Sequence, residues 1–161
     1  MVKTALYTGR FQPFHKGHKK VIDLLVETFD EIKIALGQKR DDDLLEYEER
    51  EEIIQKIFKE SNLTLFRIAD LFPNHPDYNH WGEYVINRVG KVDYVITGRD
   101  EDNFVEDDFF RLGYPIIIVP RYERISGTQI RRNISSGNSD WENYVPEETK
   151  NVIWRKLKDG F

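Results

Sequence analysis

Cysteine is missing from all 161 residues, which excludes disulfides and argues against a structural zinc site. Its absence fits a reducing compartment. No apolar run approaches the ~18 residues that a membrane-spanning helix needs, so no membrane partner is expected. The chain opens Met1-Val2-Lys3-Thr4 and turns at once into a strand pattern, leaving no room for a signal peptide. A cytoplasmic protein is the expectation. Also missing are a Gly-x-Gly-x-x-Gly turn and a Gly-x-x-x-x-Gly-Lys loop, so neither a dehydrogenase nor a P-loop kinase has support. Internal repeats and low-complexity stretches are absent too. Positive charge is in deficit, with 24 Lys and Arg against 29 Asp and Glu, and the net of −5 argues against nucleic-acid binding.

What is present describes a globular chain, 39% hydrophobic and 33% charged, with the size of one domain. Strand and helix patterns alternate along it. They predict an α/β fold: a single Rossmann-like domain over 1–161, with a mostly parallel sheet of five or six strands and helices on both faces. The global acidity hides a local contrast. Arg121, Arg124, Arg131 and Arg132 face only Glu123 around a Ser/Gly/Thr turn, as a site for a small anion would require.

The chain is organised around Gly9-Arg10-Phe11-Gln12-Pro13-Phe14-His15-Lys16-Gly17-His18. A short buried strand, Lys3 to Thr8, precedes it, and a helix from Lys19 to Phe29 follows, with Val21, Ile22, Leu24, Leu25 and Val26 on its apolar side. Gly9 lets backbone approach a ligand and Pro13 stiffens the turn. At a helix entrance His15 and His18 can face one anion, with free amides and the helix dipole behind them. The plainer readings are a metal pair or two solvent-facing rings, but no third ligand stands nearby.

Further strands are expected at 31–37, 64–68, 92–98 and 115–119. The last is an unbroken apolar run, which suggests a strand covered on both faces. Helices are expected at about 46–60 and 80–89, briefly at 109–112, and from Pro146 to about Lys158. Asp41-Asp42-Asp43 reads as solvated acid before a helix start rather than a metal site. The charges of the 46–60 helix read as a mostly solvated face. Trp141 and Trp154 read as packing the last helix on the core.

His15-Lys16-Gly17-His18 resembles the HxGH signature of the nucleotidyltransferase superfamily. The longer string Gly9 to His15 is similar to its adenylyltransferases, above all the nicotinamide mononucleotide adenylyltransferases of the archaeal type. A second superfamily signature, Ile-Ser-x-Thr-x-x-Arg, is matched by Ile125-Ser126-Gly127-Thr128-Gln129-Ile130-Arg131. Glu49-Arg50 and Trp141-Glu142-x-x-Val145-Pro146 resemble further parts of the family. The resemblance implies adenylyl transfer from ATP to nicotinamide mononucleotide, giving NAD and pyrophosphate. It implies that His15 and His18 donate to the α- and β-phosphates, while Arg10 and Arg131 bind the β/γ end. Gly9, Phe11, Gly17 and Gly98 would line the ATP site, the amides of Ser126, Gly127 and Thr128 would cradle phosphate, and Lys16 would help electrostatically.

Asn79 and Trp81 resemble a pair that meets the nicotinamide ring, although an ordinary core or rim tryptophan is the competing reading. Mg²⁺ would arrive with ATP, bridging phosphate oxygens, with no metal ligands from the protein. The family also implies a homo-oligomer. Two alternatives stay open: another adenylyl- or cytidylyltransferase, of the phosphopantetheine or glycerol 3-phosphate type, or a non-catalytic nucleotide sensor. No residue in the sequence selects nicotinamide over nicotinic acid.

Overall fold

The computed structural model describes residues 1–71, 74–76, 78–98, 104–122 and 124–160. Strands and helices alternate as β1 (Thr4–Gly9), α1 (Lys16–Thr28), β2 (Glu31–Leu36), α2 (Tyr47–Ile57), β3 (Leu63–Arg67), α3 (Trp81–Val89), β4 (Tyr94–Gly98), α4 (Phe104–Arg111), β5 (Ile116–Val119), α5 (Gly127–Ser135) and α6 (Glu147–Asp159). Short 3₁₀ turns at Tyr78–His80 and Ser139–Tyr144 precede α3 and α6.

Five strands form one sheet in the order β3-β2-β1-β4-β5, and every neighbouring pair is parallel. The two-residue period of the strands sorts their side chains to two cores. Ala5, Tyr7, Ile32, Ile34 and Ile96 face the layer that also buries apolar residues of α1, α2, α5 and α6. Leu6, Ala35 and Val95 face the layer that buries Val85, Val89 and Phe109 of α3 and α4. Helices therefore cover both faces, as the alternation of elements requires for parallel strands. Among the described residues, no helix is long and apolar enough to cross a membrane.

Several expectations need correction. Helix α1 starts at Lys16 rather than Lys19, because His15 caps it, so most of the histidine motif is helix start. Helix α4 begins at Phe104, five residues before the expected start. Strand β5 is an edge strand, with Ile117 39% and Ile118 46% exposed, so its apolar run is not covered on both faces. Trp141 is buried as expected, but Trp154 lies half outside, its ring 5.7 Å from that of Trp141. Pro146 stands just before α6 as its cap residue, not inside the first turn.

The sheet order places a topological switch between β1 and β4. From β1 the chain runs outward to β2 and β3, then returns to the other side for β4 and β5. Crevices at the carboxyl ends of such strands bind ligands. Here those ends are Gly9 and Gly98.

Candidate active site

A cavity of about 1530 Å³ opens at that switch, lined by the β1–α1 turn, the ends of β2 and β4, and the starts of α3 and α5. It exceeds the roughly 300–1,000 Å³ of a pocket for one small ligand, and has the size for two substrates.

On its floor the two histidines clamp each other. His15 is the N-cap of α1, and its Nδ1 accepts the amides of Gly17 at 3.1 Å and His18 at 3.3 Å. The His15 amide donates in return to Nδ1 of His18 at 3.2 Å. The rings stack with centroids 3.6 Å apart. An amide nitrogen only donates, so each Nδ1 must be an acceptor, and the proton of each neutral ring sits on Nε2. The helix-start amides of Gly17 and His18 are thus not free for a ligand, contrary to the sequence expectation. What the site offers instead is two fixed Nε2–H donors.

Their surroundings keep both rings neutral. Burial, helped by the Arg121 guanidinium, brings His15 from 6.5 down to about 4. Burial, then the neighbouring His15, pushes His18 well below its usual value. An unfolded chain would protonate both rings near 6.5, so it binds more protons than the fold as pH falls. Stability carried by the neutral pair is present above about pH 6.5 and is lost as pH drops towards 4. For His15 alone the gap corresponds to about 3 kcal/mol. The ligand-free protein is expected to show a falling unfolding midpoint between about pH 7 and pH 4.5, and a His15→Gln variant a flatter profile. Equal slopes for the two proteins would contradict a neutral His15.

Phe11, with φ of 53°, is buried beneath the pair, its ring 4.7 Å from His18 and edge-on to it. Two glycines make this possible. A Cβ on Gly9 would stand 2.8 Å from the Phe11 ring, and one on Gly17 would stand 2.9 Å from the His15 ring. Phe11 therefore seats His18, and Gly17 leaves room for His15.

Arg131, from α5, reaches back to this turn. Its Nη1 donates to the Gln12 carbonyl at 2.6 Å and its Nη2 to Thr128 Oγ1 at 3.4 Å. Gly127 permits the approach, since a Cβ there would stand 3.0 Å from the Gln12 oxygen. Ser126 is the cap residue of α5 but makes no side-chain cap bond, which leaves the helix start able to take an anion. Arg10 donates from Nε to Asp43 at 3.1 Å, and Asp42 lies 3.7 Å from both Arg10 and Arg131. Asp43 is buried rather than solvated, because it is the counter-ion of Arg10.

Other expected residues divide. Gly98 lines the cavity, with no atom of the described residues within 4 Å of where its Cβ would stand. The residues that follow Gly98, 99–103, lie outside the described residues. Asn79 is exposed on the cavity wall, and Trp81 lines it while its ring packs edge-on against Phe109 at 5.8 Å. Lys16 does not join them: its ammonium donates to the Asn143 carbonyl at 2.8 Å. Among the described residues, no three His, Asp or Glu side chains converge to hold a metal ion.

Two braces escaped the sequence reading. The Gln12 amide exchanges bonds with the backbone of Leu45, donating at 2.6 Å and accepting at 2.8 Å. Arg50 is fully buried rather than part of a solvated face, and its Nη1 donates to the carbonyls of Arg10 at 2.7 Å and Gly37 at 2.6 Å. It ties the ends of β1 and β2 together beneath the site. The Glu49-Arg50 likeness was the available signal.

Comparison with known proteins agrees with this geometry. Residues 6–133 match the family model described as cytidylyltransferase-like. The nicotinamide-nucleotide adenylyltransferase of Thermococcus kodakarensis is 34% identical, over 98% of this chain and 85% of that protein. The one from Pyrococcus furiosus is 32% identical, over 94% and 83%. Among solved structures, a bifunctional NMN adenylyltransferase/ADP ribose pyrophosphatase from Francisella tularensis, complexed with AMP and a manganese ion, superposes with a TM-score of 0.68 at 17% identity. The match covers 95% of this chain and 52% of that one, so it spans about half of the bifunctional protein and shows the shared fold. The chain belongs to the cytidylyltransferase-like family, on the branch of the archaeal nicotinamide-nucleotide adenylyltransferases.

Proposed function

We propose that the protein is a nicotinamide mononucleotide adenylyltransferase, a single catalytic domain over 1–161 that converts ATP and nicotinamide mononucleotide into NAD and pyrophosphate. A phosphate oxygen of the mononucleotide attacks the α-phosphorus of ATP. The bond from that phosphorus to the α–β bridging oxygen breaks, and its electron pair leaves with pyrophosphate. The attacking phosphate is already an anion near neutral pH, so the protein needs no base. Its work is alignment and charge stabilisation.

His15 and His18 donate from Nε2 to the α- and β-phosphate oxygens, and their mutual clamp means they need no reorganisation. Arg10 and Arg131 hold the β/γ end and the departing pyrophosphate, and the amides at Ser126 to Thr128 complete the cradle. Gly9 and Gly98 leave space for the nucleotide, while Lys16 contributes only its charge from the rim. Trp81 stacks on the nicotinamide ring, with Asn79 beside it. A Mg²⁺ ion carried by ATP would offset phosphate charge. By the same family likeness the protein works in the cytoplasm as a homo-oligomer.

The observation that carries this reading is the meeting of two clamped Nε2–H donors with Arg131 and the uncapped start of α5 around one turn. Pyrophosphate release with MgATP and a panel of acceptors tests it. Release is expected with nicotinamide mononucleotide. Release only with phosphopantetheine, or only with CTP and glycerol 3-phosphate, would move the protein to another branch. ATP binding with silence everywhere would leave a sensor.

A further inference from the structure

The start of α3 carries a device that the transfer chemistry does not use. His80, the cap residue of α3, makes no side-chain cap bond. The amide of Gly82, one residue after Trp81, instead donates at 2.5 Å to Oδ2 of Asp108, which reaches across from α4. The other oxygen of Asp108 pairs with Arg111. Asp108 is 6% exposed, yet it lines the same cavity as Trp81, Asn79 and Arg111. Gly82 makes room for the contact, since a Cβ there would stand 3.2 Å from Asp108 Oδ2 and 3.1 Å from Leu112.

A helix start beside a stacking tryptophan would otherwise suit a carboxylate, because its amides and dipole favour negative charge. Here the chain's own carboxylate fills that place. Resting on the adenylyltransferase reading, we propose that Asp108 is a specificity-determining residue that makes the pyridine end of the cavity select a carboxamide over a carboxylate. A nicotinic acid group arriving at Trp81 meets an amide already taken and a like charge in a poorly solvated wall. A nicotinamide group arrives neutral, with an NH₂ that Asp108 can accept. Arg111 moderates the effect by offsetting part of the Asp108 charge from a side chain that is 69% exposed.

The test is the ratio of kcat/KM for nicotinic acid mononucleotide to that for nicotinamide mononucleotide, with MgATP. The wild-type ratio is expected below ~0.1, and Asp108→Asn is expected to raise it at least ~10-fold, the scale of losing one like-charge contact. Asparagine keeps an oxygen for the Gly82 amide while removing the charge. Arg111→Gln, at an exposed position, is expected to lower the ratio further, and it carries the test if Asp108→Asn does not fold. A wild-type preference for the acid, or a ratio that neither variant moves, overturns the proposal. If neither mononucleotide is turned over, the adenylyltransferase reading falls by itself. Calorimetric binding of the two mononucleotides to the same proteins then decides the selectivity: tighter amide binding that Asp108→Asn abolishes supports it, and equal binding or none overturns it.

Discussion

His18→Ala is expected to lower turnover by at least ~10²-fold, the scale of losing one preorganised donor at a developing charge. The ring does two things that alanine cannot. Its Nε2–H is a fixed donor, and its Nδ1 accepts the His15 amide that closes the clamp at 3.2 Å. Without it His15 also loses its stacking partner, so both donors loosen together. The fold should survive, because the aromatic contacts to Phe11 and Phe14 are worth only about 1 kcal/mol each, against roughly 5–15 kcal/mol for a whole domain. His18→Gln, which retains an N–H donor, is expected to lie between alanine and wild type. Steady-state kinetics beside a thermal melt separate the two effects. Activity within a few-fold of wild type in a folded alanine variant would remove His18 from the mechanism.

Arg50→Met is expected to cost about 3 kcal/mol or more of stability, because it leaves buried carbonyls without a donor at roughly 1–3 kcal/mol each. The carbonyls are those of Arg10 and Gly37, at 2.7 and 2.6 Å from Nη1, whereas the Glu46 carbonyl keeps the Arg50 backbone amide as its donor. For a chain of this size the unfolding midpoint should fall by about 6–12 °C. Methionine fills much of the same volume, so the loss reports hydrogen bonding rather than a void. Arg50→Lys should recover little, since one ammonium cannot reproduce the forked geometry. Arg10 also leaves the site when its carbonyl anchor goes, so KM for ATP should rise together with the loss of stability. An unchanged midpoint would mean that water replaces the guanidinium under the turn.

Much of the fold was legible because apolar period and turn chemistry agree along the chain. The strand–turn–helix at Gly9 to His18 and the second motif at Ile125 to Arg131 both lie where their residue types demand, and the sheet brings them together across Gln12. Charge was harder to read. A run of Asp or a Glu/Arg-rich helix looks solvated in sequence, and only packing reveals that Asp43 and Arg50 are buried with partners. The α1 amides misled for a local reason: a histidine at the cap position can accept hydrogen bonds as Ser or Asp does, so the motif consumes the donors it was expected to offer. Strand β5 misled because an apolar run looks alike in the middle of a sheet and at its edge. Asp108 carried no sequence signal, since its partner amide is 26 residues away on another helix.

The central claim is attack at the α-phosphorus of ATP by the phosphate of nicotinamide mononucleotide, and the most direct measurement follows that atom. The protein is mixed with nicotinamide mononucleotide and MgATP labelled at the α-phosphate, and the products are separated after a single turnover. All consumed label is expected in NAD, with none in pyrophosphate and none in free AMP. Label found in AMP alone, or remaining in ATP while the mononucleotide stays bound, would contradict the account.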